Sequence, residues 1–144
     1  MSAMSDYLEN KLIDFLFRAA SFTKPTVLAV ALYTAAPSDS GGGTQVSGGG
    51  YARAELDPSD TNWTATQGGT SGNSSGTTGH TDNAVAITFP SPTADWGVVT
   101  HFGIFDATSG GNLLFWGALT TQKTINNGDA APSFAIADLD VTLA

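Results

Sequence analysis

The chain has 144 residues, enough for one ordinary domain with a single core. Hydrophobic residues make up 41% and charged residues only 12%, so a charge-rich disordered chain is excluded and the surface must be covered by Gly, Ser, Thr and Asn. Net charge is −8 without a cluster of Lys or Arg, which argues against partners among nucleic acids and anionic membranes, and the lack of cysteine excludes disulfides and thiolate chemistry.

Residues 6–20 read as the one helix. Tyr7, Leu8, Lys11, Leu12, Phe15, Leu16 and Ala19 recur at helical spacing. Asp6 with Glu9 resembles a capping box, and Ser5 is the alternative cap. Ile13 and Phe17 make the opposite side apolar too. Such a face either packs on its own sheet, the commoner outcome, or docks on a partner. Tyr7, Leu8, Leu12, Phe15 and Leu16 are the candidate interface, and residues 1–24 the expected helical anchor segment. No apolar run is long enough to span a bilayer, and no signal peptide is recognisable, so assembly in a host cytoplasm is expected.

From residue 25 to 144 the pattern is that of strands. Residues 27–33 form a β-branched, aliphatic and aromatic run. Residues 37–50 are turn-rich, with glycines at 41–43 and 48–50, and 51–56 alternate until Pro58. Residues 68–82 are nearly all Gly, Ser and Thr and read as an exposed loop, or an arm ordered by a neighbour. Residues 84–89, 97–105 and 113–119 follow as strands, the last two as a hairpin. Thr124 and Ile125 suggest a short strand, and 134–143 a final one. Short strands with turn signals between them predict a mainly β protein: a single antiparallel β-sandwich or jelly-roll-like domain with one N-terminal α-helix.

Catalytic and metal chemistry find little support. His80 lies beside Asp82 at the end of a polar loop, where a solvated side chain is the better reading than a Ser/His/Asp catalyst. His101 sits inside an apolar strand and is expected to be satisfied by a backbone or cross-strand partner. Asp138 and Asp140 alternate on one predicted strand, and Asp57, Asp60 and Asp129 flank turns. Oxygen ligands of this kind can hold calcium, but no EF-hand spacing is present, so solvated carboxylates are preferred. No cofactor is expected. Trp63, Trp96, Trp116 and Tyr51 have the chemistry to stack on sugars or to pack a core. Trp116 reads as core, while Trp63 and Trp96, near loops, are the candidate exposed contacts. The sequons at Asn62 and Asn73 read as chance matches.

Five blocks carry a resemblance: Met4-Ser5-Asp6-Tyr7-Leu8-Glu9-Asn10-Lys11, residues 26–37, Val46-Ser47-Gly48-Gly49-Gly50-Tyr51-Ala52-Arg53, residues 96–106, and Gly110-Gly111-Asn112-Leu113-Leu114-Phe115-Trp116-Gly117-Ala118-Leu119. In this order they resemble a family of small tailed-bacteriophage virion proteins labelled phage tail fibre proteins. The resemblance implies a non-enzymatic virion component, either of tail-fibre type or a capsid decoration (cement) protein, with other virion proteins as partners. It carries no catalytic residues. A homo-oligomer, a trimer by the habit of such components, is expected. The alternative is a carbohydrate-binding module serving as a host-surface adhesin.

Overall fold

The computed structural model describes residues 2–143. A short strand β1 (Ser2–Met4) leads into helix α1 (Asp6–Phe17). Strand β2 (Ala29–Ala35) pairs antiparallel with β7 (Gly97–Phe105), and β7 with the long β8 (Leu113–Ile125). β1 adds to the far side of β8, while β3 (Thr44–Gln45) and β4 (Ala54–Glu55) pair with successive halves of β2. The result is a six-stranded antiparallel sheet. Two small ribbons complete the domain: β5 (His80–Asp82) with β10 (Asp140–Thr142), and β6 (Ile87–Thr88) with β9 (Ser133–Phe134). The architecture is the mainly β, sandwich-like domain with one N-terminal helix that the strand pattern predicts.

Both faces of the sheet are covered, which is why the central strands lack a polar side. Val30, Leu32, Phe102 and Ile104 share one face and belong to the main core. The ribbons and loops supply its other side with Ile87, Phe89, Trp96, Leu139 and Val141. Ala31, Tyr33, Phe105 and Leu113 form a second, smaller cluster, joined by Trp116. Gly103 makes this possible: a Cβ there would lie 3.0 Å from both Tyr33 and Leu113 side-chain carbons. Side chains alternate across a strand, so the two clusters follow directly from odd and even positions of β2 and β7.

Several elements differ from the sequence reading. The helix ends at Phe17 rather than Ala20, with Arg18 already extended at φ −127°. Ser5, not Asp6, is its cap: Leu8 N donates to Ser5 Oγ at 3.2 Å, and the Ser5 hydroxyl donates in turn to Leu113 O. Asp6 therefore starts the first turn, and the Asp6–Glu9 box does not form. Only Leu8 of the helix is buried, so continuing past Phe17 would gain no packing, and Pro25 favours extended chain before it. The pieces 113–119 and 124–125 are one strand. The segment 134–143 is instead broken by a turn at 135–139, where Ala137 has φ +62°. β1, β3 and β5 escape detection because two or three residues of mixed polarity carry no periodic signal.

Burial also governs two phenols. Desolvation pushes the Tyr33 and Tyr51 hydroxyls above the ordinary tyrosine range, against the smaller opposing pull of nearby Arg53; for Tyr51 a hydrogen bond from Leu32 N also opposes it. A raised folded value means stability that is complete below the unfolded phenol range and lost as pH rises through the folded one. The protein should therefore melt at falling temperature once pH exceeds about 10. Phe at either position should flatten that alkaline limb; an unchanged limb in the double variant refutes the assignment.

Candidate functional site

Two surface features stand out, a cavity roofed by the polar loop and the helix face. The cavity, of about 340 Å³, lies between residues 58–74 and the end of the main core. Its floor is apolar, made by Leu28, Trp63 and Phe115 among others, and its rim carries Lys24, Ser59, Asp60, Thr64, Asn73 and Ser74. Trp63 is half-buried, and its indole N–H donates to Leu56 O at 3.1 Å, which fixes the ring.

The loop at 68–82 is not the featureless arm its composition suggests. Ala65 N donates to Gly69 O, Thr66 N to Ser74 Oγ, and Ser75 N to Gln67 Oε1, while Gln67 Nε2 donates to Asn73 O at 3.1 Å. Local side-chain-to-backbone bonds thus stand in for the missing apolar contacts. Its last residues form β5. Thr81 Oγ1 donates to Thr64 O at 2.7 Å, and Thr64 Oγ1 donates to Asp82 Oδ1 at 2.9 Å.

On α1, Leu8 is buried and Tyr7 and Leu12 are half-buried, but Phe15 is 54% and Leu16 64% exposed. Ile13 and Phe17, at 52% and 81%, extend the apolar surface round the helix. Intrachain packing, the commoner outcome for such a face, covers Leu8 and part of Tyr7 and Leu12 and leaves Phe15 and Leu16 open. The reason is geometric: α1 meets its own chain mainly at β8, near its first turn.

Of the candidate exposed aromatics, only Trp63 reaches a cavity. Trp96 is a correction: it is 5% exposed, its indole N–H donates to Gly49 O at 2.8 Å, and Tyr51 meets it edge-on at 5.2 Å. Trp116 is half-buried rather than core, donating to Asp39 Oδ1 at 2.9 Å.

The acidic residues divide in the same way. Asp129 and Asp138 accept backbone N–H groups from Asn126 and Ala135 and so close turns, whereas Asp57 accepts from the distant Leu28 N. Asp138 falls in the 135–139 turn, so it does not share a strand face with Asp140. Pairing of β5 with β10 instead gathers His80, Asp82 and Asp140, whose ligand atoms lie within 4.8 Å of one another. His80 Nε2 contacts Asp140 Oδ1 at 3.0 Å, tying the ribbon's two strands. His101 Nδ1 lies 2.8 Å from Thr100 Oγ1, the side chain of its own strand neighbour and not the backbone or cross-strand partner expected.

Two residues with structural weight carry no pattern in the sequence. Asn83 is fully buried. Its amide donates to Val85 O and Ala135 O and accepts from Leu139 N, all within 2.9 Å. Arg53 reaches across from beside β4 to donate to Ala107 O and Gly110 O, with its guanidinium 3.5 Å over the Phe105 ring. A buried Asn flanked by an Asp and an Ala, and a lone Arg in an alternating stretch, look like any turn or strand residue.

The fold and these surfaces define a small β-rich domain that offers an apolar helix and a cavity floored by Trp63 to its surroundings. The family model described as Podophage GP4 fiber I protein gp80 matches residues 3–142. The chain belongs to that family, and so to the bacteriophage virion proteins of tail-fibre type whose resemblance its sequence blocks carry. No curated protein matches it.

Proposed function

We propose that the chain is a non-enzymatic fibre subunit that works through its interfaces, self-associating and holding to other virion proteins by α1. What supports this is the helix itself. Isolated helices of about 12–15 residues or fewer are marginal in water, and α1 has 12 residues with one buried side chain. Four large apolar side chains at 52–81% exposure on so short a segment need a partner to be worth keeping ordered. Symmetric association is the default for such components, and a trimer is the form we assign. Assembly would then take place in the host cytoplasm before the particle is released. Both histidines are held by neighbouring side chains, away from the Trp63 cavity, which supports a role without turnover.

Immunogold labelling of intact particles with antibody against this chain tests the placement. Label at the tail supports the fibre reading, whereas label across the head replaces it with capsid decoration. Native mass spectrometry tests the interface: Phe15→Asp and Phe17→Asp should leave the melting temperature of the monomer within about 2 °C, since surface changes cost little. The same variants should abolish the oligomer. An oligomer that survives both substitutions removes α1 from the interface. Leu8→Asp, by contrast, should unfold the chain itself.

A further inference from the structure

The cavity floored by Trp63 has chemistry that self-association does not use. We propose that it is a binding site for a neutral carbohydrate, taking a mono- or disaccharide unit of a larger glycan. Its volume of about 340 Å³ sits at the small end of the usual range for compact-ligand sites. The floor offers the apolar surface of Trp63, Leu28 and Phe115, on which the C–H face of a sugar ring can lie. The rim offers hydroxyls and an amide from Ser59, Asn73 and Ser74. Those groups both donate and accept, as sugar hydroxyls do.

Other ligand classes fit less well. A wholly apolar molecule would leave the rim unpaired. An anion would meet Asp60 and a chain of net charge −8, with Lys24 the one cation on the rim. A cation would find a single carboxylate, matched by that lysine.

The wall is also built in advance. The loop's own bonds through Gln67, Ser74 and Ser75 hold it over the cavity, and Gly76 lets it approach Thr66 so closely that a Cβ there would lie 2.7 Å away. A wall already ordered reduces the entropy lost on binding. Because the Trp63 N–H is committed to Leu56 O, the ring contributes surface and not a donor.

This inference rests on the fibre reading only for where such a glycan would be met, on a cell surface. Titration of the purified chain with methyl glycosides of neutral hexoses and N-acetylhexosamines, and with disaccharides of them, is followed by the indole N–H and loop amide resonances. The expected result is a saturable shift of the Trp63 indole and of amides 70–74 in the millimolar range. Asp60→Ala and Asn73→Ala should each weaken it about five- to tenfold, the effect of one lost hydrogen bond, with melting unchanged. Trp63→Ala also removes packing against the core, so the rim variants carry the test. No shift with any sugar in the panel overturns the site, as does a shift indifferent to both rim variants. Tail label without sugar binding would remove the site and leave the fibre; sugar binding without particle label would do the reverse.

Discussion

Asn83→Asp is expected to lower the melting temperature by about 10–20 °C at neutral pH, the largest effect of any single-atom exchange in this chain. The Asn83 amide nitrogen donates to two carbonyl oxygens, Val85 O at 2.8 Å and Ala135 O at 2.7 Å. An aspartate would turn an oxygen of a buried carboxylate toward both. Breaking such a satisfied buried site costs about 3–5 kcal/mol. Protonating the new side chain restores one donor, so its folded pKa would be raised. The variant's stability is then greatest at acid pH and falls as pH rises past the ordinary carboxylate range. Asn83→Ala, which loses the bonds without adding charge, should cost about 2–3 kcal/mol and show no such pH dependence. Thermal melts of both variants between acid and neutral pH check this. An Asp variant as stable as the parent at neutral pH would mean that Asn83 does not clamp the 135–139 turn.

The second large effect is at Arg53. Arg53→Ala should destabilise the fold by about 2–3 kcal/mol, combining lost charge-assisted bonds with a lost cation–π contact. Its guanidinium donates to Ala107 O at 2.9 Å, Gly110 O at 2.7 Å and Gln45 Oε1 at 3.0 Å while lying on Phe105. It thereby ties the tip of the β7–β8 hairpin to β3. Among the described residues no carboxylate bonds to it directly, and burial pulls its pKa below the usual arginine value. The tip itself is shaped by Gly111, at φ +70°, where a Cβ would fall 2.5 Å from Asp106 Oδ1. Arg53→Lys should recover less than half of the loss, because an ammonium cannot both stack and fork. Hydrogen exchange locates the effect: amides at 107–112 should open first. Uniform loss of protection across the sheet would instead mean that Arg53 supports the whole core rather than the hairpin.

Much of the sheet is legible residue by residue. β7 is read at its observed bounds because a nine-residue run rich in Val, Phe, Ile and Gly lies between turn signals. The helix is legible as an element, though its cap is displaced by one residue, since Ser5 and Asp6 are both good caps and Leu113 O decides between them. Trp63 and Trp96 are indistinguishable in sequence, each an indole close to a turn. Which becomes core depends on which loop folds over it: Gly49 accepts from Trp96, whereas Trp63 is left on the floor of a cavity. The helix face shows the opposite limit. Its spacing marks residues that want burial, but not whether their own chain supplies it.

The sequence by itself determined the class: a mainly β chain with one helix, whose five blocks in order carry the resemblance to the fibre family. Those properties are local or summed, and local propensity and composition survive without tertiary contacts. Only the tertiary structure decided that the Gly/Ser/Thr segment is a hydrogen-bonded wall, that His80, Asp82 and Asp140 meet, and that Asn83 and Arg53 hold distant turns. The last two depend on residues dozens of positions apart arriving at one place, and the wall on side-chain geometry that composition does not encode.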